Sequence, residues 1–91
     1  MEKVLENVGL NIAIHRKTQS LSQGDLATKA GVPRSTIAGI EAGSGNPTLK
    51  NLLLISSALR ISIQEMTTPP RTGAQYIPAA DIETLVRAKG G

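Results

Sequence analysis

A chain of 91 residues has room for one domain and one modest core. No Cys, Trp or Phe and a single Tyr exclude a disulfide, thiolate chemistry and base stacking on single strands, and leave an aliphatic core. The net charge of +3 suits a polyanionic partner without requiring one.

Aromatic and β-branched strand runs are missing, so the composition predicts an all-α domain. Leu5, Val8, Ile12 and His15 share one helical face and predict a first helix over residues 2–18. Gly9 inside it costs roughly 1 kcal/mol relative to Ala, which close packing against a neighbour would explain. Ser22 and Asp25 have the spacing of a capping box and open a second helix. Leu26, Ala27 and Ala30 are its buried stripe, and Gly31 can end it at positive φ. Val32 then plugs the core. Pro33 opens a third helix over residues 33–42, because its missing N–H would have no intrahelical partner there. Ile37 and Ile40 point inward from it. Residues 42–47 form a loop by composition. Thr48 caps a fourth helix whose core stripe is Leu49, Leu52, Ile55, Ser56 and Leu59. Ser62 and Glu65 are a second capping box, opening a short fifth helix that Thr67, Thr68, Pro69 and Pro70 close.

Residues 1–68 therefore read as one domain and residues 69–91 as a linker or dimerisation tail. Pro69-Pro70 is a stiff connector, residues 75–78 are a short extended piece, and Ile82, Leu85 and Val86 give residues 81–89 the pattern of a short amphipathic helix. Charge is concentrated: between residues 12 and 60, Arg16, Lys17, Lys29, Arg34, Lys50 and Arg60 face only Asp25 and Glu41. The N-terminus has no signal-like apolar run, and the longest apolar run, residues 52–55, is too short to cross a bilayer. The expectation is a cytoplasmic protein without membrane contact.

The second and third helices, joined by a Gly-containing turn, form a helix-turn-helix unit whose second helix can lie in a DNA major groove. The exposed first turn of that helix carries Arg34, Ser35 and Thr36. An Arg there can fork onto guanine O6 and N7, and hydroxyls can reach bases or phosphates. Gln23, just after the Ser22 cap, can dock on a phosphate and fix register without reading sequence, and Thr48 and Lys50 can do the same at the next helix start. Each has a plainer alternative: Arg34 and the lysines as solvated charges, Gln23 as a surface amide, Ser35 and Thr36 as caps of their own helix.

Taken in order, Leu21-Ser22-Gln23, Leu26-Ala27, Gly31-Val32, Ile37, Ile40-Glu41, Gly43, Asn46-Pro47 and Leu52 form a spaced set. With that set, roughly residues 8–66 resemble the DNA-binding domain of the Xre/lambda-repressor-like transcriptional regulators. The resemblance implies a five-helix lambda-repressor-like domain, here with a short C-terminal extension, that binds operator DNA and usually dimerises. It implies that Gln23 matches a phosphate-contacting Gln, that Arg34, Ser35, Ala38 and Gly39 fall on base-facing positions, and that Arg16 and Glu41 match a structural ion pair between the first and third helices. The chain departs from the family at Gly39, where many relatives carry a long polar side chain, at Pro33, which replaces a frequent Ser cap, and at His15, where an aliphatic residue is common.

The predicted function is sequence-specific binding of double-stranded DNA as a transcriptional repressor. The alternative is an antitoxin-type or adaptor module of the same fold acting through a protein partner. An enzyme is not expected: His15 is the sole imidazole and has no Cys or second His for a metal site or triad. Ser56-Ser57 has no activating base, and Gly43-x-Gly45 lacks P-loop spacing. No cofactor or metal is expected. One recognition helix covers few base pairs, so a homodimer on an inverted-repeat operator is expected. Its interface would use the apolar surplus of Leu53, Leu54, Ile63 and Met66 with Ile82, Leu85 and Val86 of a tail that either crosses to the partner or packs back on its own domain. In the plainer alternative, Leu53 and Leu54 fill the groove between the fourth and first helices, leaving a monomer that pairs only on DNA. In longer members of the family a similar Pro-containing stretch leads into a small-molecule-sensing barrel, and the resemblance implies one here if the chain is a fragment.

Overall fold

The computed structural model describes residues 2–70, which form α1 (Glu2–Thr18), α2 (Gln23–Ala30), α3 (Arg34–Glu41), α4 (Leu49–Leu59) and α5 (Ile63–Thr67). Among the described residues the all-α expectation holds, with the helices in the expected order. The tail beyond Pro70, with its expected extended piece, helix and part in a dimer interface, lies outside the described residues.

Three helix starts are fixed by side-chain caps. Ser22 Oγ accepts from the Asp25 N–H at 2.9 Å, while the Asp25 carboxylate accepts from the Ser22 N–H at 2.9 Å. Ser62 and Glu65 repeat the arrangement at the same distances. Thr48 Oγ1 accepts from the Asn51 N–H at 3.0 Å. A cap of this kind contributes about 1 kcal/mol. The N–H of Ser22 holds the Asp25 carboxyl below the ordinary carboxylate value, and the N–H of Ser62 does the same for Glu65. Pro33 proves to be the residue before α3 rather than its first turn; its carbonyl accepts from the Thr36 N–H at 3.0 Å, and it offers no side-chain cap.

Gly31 ends α2 in the left-handed region at φ 76, which lets the N–H groups of Gly31 and Val32 both reach the Ala27 carbonyl. The chain thereby turns sharply enough to lay α3 across α2. Every helix then contributes to one core. Val8 and Ile12 of α1, Leu26 of α2, Ile37 of α3, Ile55 and Leu59 of α4, and Met66 of α5 are fully buried. Burying a side chain of this size is worth about 1.5–3 kcal/mol. α1 packs against α3, α4 and α5, and α2 against α3 and α4.

Two expectations about the core need correction. Leu49 does not belong to it: the side chain is 67% exposed. The buried arc of α4 is centred on Ile55 and Leu59, and Leu49 falls at its margin, on the same side as Leu53, one turn further on. Met66, in turn, is no surface surplus. The buried Asn11 amide donates to the Met66 and Thr68 carbonyls, both at 2.7 Å, and draws α5 onto α1 with Met66 underneath. Leu54 and Ile63 also lean on the core and are partly covered.

Gly9 has the packing reason that its position suggested. A Cβ there would collide with the Ile40 carbonyl oxygen and stand 3.0 Å from that of Glu41. The end of α3 rests directly on the backbone of α1. Gly9→Ala should therefore lose about 1–3 kcal/mol by overpacking instead of gaining the roughly 1 kcal/mol of helix propensity. Urea denaturation measures it, and a stabilised variant would mean that the two helices stand further apart than described.

Candidate nucleic-acid interface

α3 is amphipathic in a simple way. Ile37 and Ile40 face the core, exposed Ser35 and half-exposed Ala38 and Gly39 lie on the opposite side, and exposed Arg34 stands at the edge of that side. Thr36 is half-buried on the flank between the two faces. Neither Ser35 nor Thr36 caps the helix, since Pro33 occupies that position. Arg34 lies on the flank toward α2, and its Cδ stands 4.0 Å from where a Gly24 Cβ would be. The arginine stem therefore packs along the first turn of α2 at ordinary van der Waals distance.

The other flank residue toward α2 is Glu41, and it organises the neighbourhood. Its Oε2 accepts from Arg16 Nε at 2.6 Å and its Oε1 from Arg16 Nη2 at 2.9 Å. Arg16 Nη1 donates to the Leu21 carbonyl at 2.8 Å. The two side chains are only 11% and 8% exposed. Burying two charges is costly, and here a bidentate pair with an extra carbonyl partner offsets it. The bond to Glu41 raises the Arg16 pKa further above its ordinary high value. Gln23, half-buried at the start of α2, donates from Nε2 to Glu41 Oε1 at 3.1 Å.

The structure thus joins Gln23, Arg16 and Glu41 in one network and sets Arg34 beside the first turn of α2. Thr48 and Lys50 belong to a separate helix start, where both are exposed. The Thr48 oxygen is engaged as a cap, so its hydroxyl hydrogen is what it can offer a phosphate. His15 sits elsewhere, half-buried on α1, in an open cleft that Asn11, Ser62, Glu65 and Pro69 also line. It adds to the lowering of Glu65. Among the described residues, no cluster of His, Asp or Glu could hold a metal ion, and no helix is long and apolar enough to cross a membrane.

Sequence reasoning missed Asn11, the tie from Gln19 Nε2 to the Leu59 carbonyl at 2.8 Å, and the bond from Gln23 to Glu41. Asn11 carried a signal: it lies on the Val8–Ile12 arc, where a polar group needs partners. The two glutamine bonds span 40 and 18 residues and have no local signature.

A family described as helix-turn-helix matches residues 12–66. The cryptic phage CTXphi transcriptional repressor RstR of Vibrio cholerae is 36% identical over 55 residues, 60% of this chain and 49% of the relative, so the chain spans about half its length. The restriction-modification controller protein C.AhdI of Aeromonas hydrophila superposes with a TM-score of 0.65 at 35% identity, over 68% of this chain and 94% of that one. The controller protein C.Esp1396I, solved bound to a 19 base pair DNA duplex, gives 0.63 at 36% identity, over 69% and 84%. Solved as a tetramer with its natural 35 base-pair operator, it gives 0.61 at 34%, over 71% and 96%.

The burial of the ion pair makes its two substitutions unequal. Glu41→Ala strands a charge and should cost about 3–5 kcal/mol, whereas Leu at both 16 and 41 should leave stability nearly unchanged. Thermal melting of the two variants measures the difference, and equal losses would contradict the buried geometry.

Proposed function

The chain belongs to the helix-turn-helix family of DNA-binding transcriptional regulators, and from that premise we propose that it is a sequence-specific repressor that lays α3 in the major groove of operator DNA. The observation that carries the proposal is the outward face of α3, where Arg34, Ser35, Ala38 and Gly39 stand clear of the core. The relatives support it: RstR is a transcriptional repressor, and C.Esp1396I is solved on duplex and operator DNA. Arg34 forks onto a guanine, and Ser35 and Thr36 reach bases or nearby phosphates. Ala38 and Gly39 add no long side chain, so base reading rests on those three. Gln23 meets a phosphate at the start of α2, and Thr48 and Lys50 meet another at the start of α4. Such a regulator works in the cytoplasm, where its operator is.

Arg34→Ala should cost about 1–3 kcal/mol on the preferred duplex and relax preference at one base pair, while Gln23→Ala should weaken all duplexes alike. Selection of bound duplexes from a random library, followed by titration of the winners, checks both. A folded protein that enriches no sequence would overturn the specific reading and leave a protein partner as the route of action.

Three reading side chains cover too few base pairs for a specific site, so two copies bind an inverted repeat with their recognition helices roughly 34 Å apart. Since Met66 is taken by the core, the apolar surface left on α4 for the second copy is Leu49 with Leu53, 48% exposed and one turn away. Leu53→Lys should shift the protein from dimer to monomer in sedimentation equilibrium at micromolar concentration without lowering its melting temperature. An unchanged dimer would put the interface elsewhere, and a monomeric wild type would confine pairing to DNA.

A further inference from the structure

Glu41 does more than close an ion pair. Its Oε1 accepts two donors, Arg16 Nη2 and Gln23 Nε2, and its Oε2 a third, Arg16 Nε. A carboxylate only accepts, so the atom that Gln23 turns toward it must be the amide nitrogen. That bond uses one of the two Nε2 hydrogens and holds the far end of the side chain toward α3. The other hydrogen stays on an amide that already has a partner. The anchor is itself held on both oxygens by a guanidinium that is tied to the Leu21 carbonyl and is almost out of contact with solvent. Arg16 also neutralises the carboxylate, so that Glu41 does not repel an approaching phosphate.

Resting on the proposed function, in which Gln23 meets a phosphate, we propose that Glu41 is a positioning residue for DNA binding. It sets the Gln23 amide before DNA arrives, and the remaining N–H meets the phosphate without first being ordered. The seat of α3 on α1 and the phosphate contact of α2 are thereby fixed by one carboxylate. Losing the preset should cost what ordering one flexible side chain costs, roughly three- to tenfold in affinity.

The test separates positioning from stability by using the apolar replacement of the pair. Wild type, Gln23→Ala, the Arg16→Leu/Glu41→Leu variant and the three substitutions together are titrated onto one duplex at low salt, well below their melting temperatures. Gln23→Ala and the leucine variant should each bind roughly three- to tenfold more weakly, and the combined variant no more weakly than the weaker of the two. A leucine variant that melts and binds like wild type overturns the proposal, as does a combined loss equal to the product of the separate ones. If the leucines prevent folding, the Gln23 side-chain amide of DNA-free wild type decides by nitrogen relaxation. An amide as ordered as the backbone supports the proposal, and a freely averaged one overturns it. Folded wild type that binds no duplex removes the functional reading and this proposal together, whereas binding with independent losses removes this proposal alone.

Discussion

Arg16 and Glu41 meet through two parallel N–H···O bonds, and the position of α3 depends on that meeting. An eight-residue helix is too short to be stable by itself. What holds α3 is Ile37 and Ile40 in the core, the close approach of Gly9 beneath its last turn, and the guanidinium fork on its last residue. The first two press the helix against its neighbours, and the fork adds a directional contact at its end, because a planar bidentate pair is satisfied in one geometry. The contribution of the pair is therefore better described as geometric than as energetic, since apolar residues of similar volume could supply comparable stability.

The rest of the molecule divides along the line that this pair draws. One side of α3 is given to the core that all five helices share, and the other presents Arg34, Ser35, Ala38 and Gly39. Local caps settle where α2, α4 and α5 begin, and hence where their unpaired N–H groups point. In the proposed complex the starts of α2 and α4 are where phosphates sit, so the residues that stop each helix from fraying also define the frame around the reading helix. On the far side, Asn11 and Gln19 tie helix ends to α1 and the turn that follows it, which keeps α4 and α5 fixed relative to the helix that carries Arg16.

Much of this was legible in the sequence wherever the cause is local. Ser22 with Asp25, Ser62 with Glu65, Thr48 and Gly31 act within a few residues of themselves, and each stands where the pattern puts it. Periodicity was less complete. It gives the direction of a buried arc but not its width, and so counts Leu49 into the core although the side chain sits at the margin. The burial of Met66 escapes it for a related reason: five residues are too few to show a face, and what turns α5 inward is an asparagine 55 residues away. The partnership of Gln23 with Glu41 left no trace in spacing or composition, and that of Arg16 with Glu41 could be named only through the resemblance to a family.

The most direct measurement of DNA reading by α3 is a titration of nitrogen-labelled protein with a duplex, followed by amide chemical shifts. Shifts should concentrate on the outer face of α3 around Arg34, Ser35 and Gly39 and on the first turns of α2 and α4, with the cleft between α1 and α5 unaffected. Shifts centred on that cleft or on α1, with α3 unmoved, would contradict it.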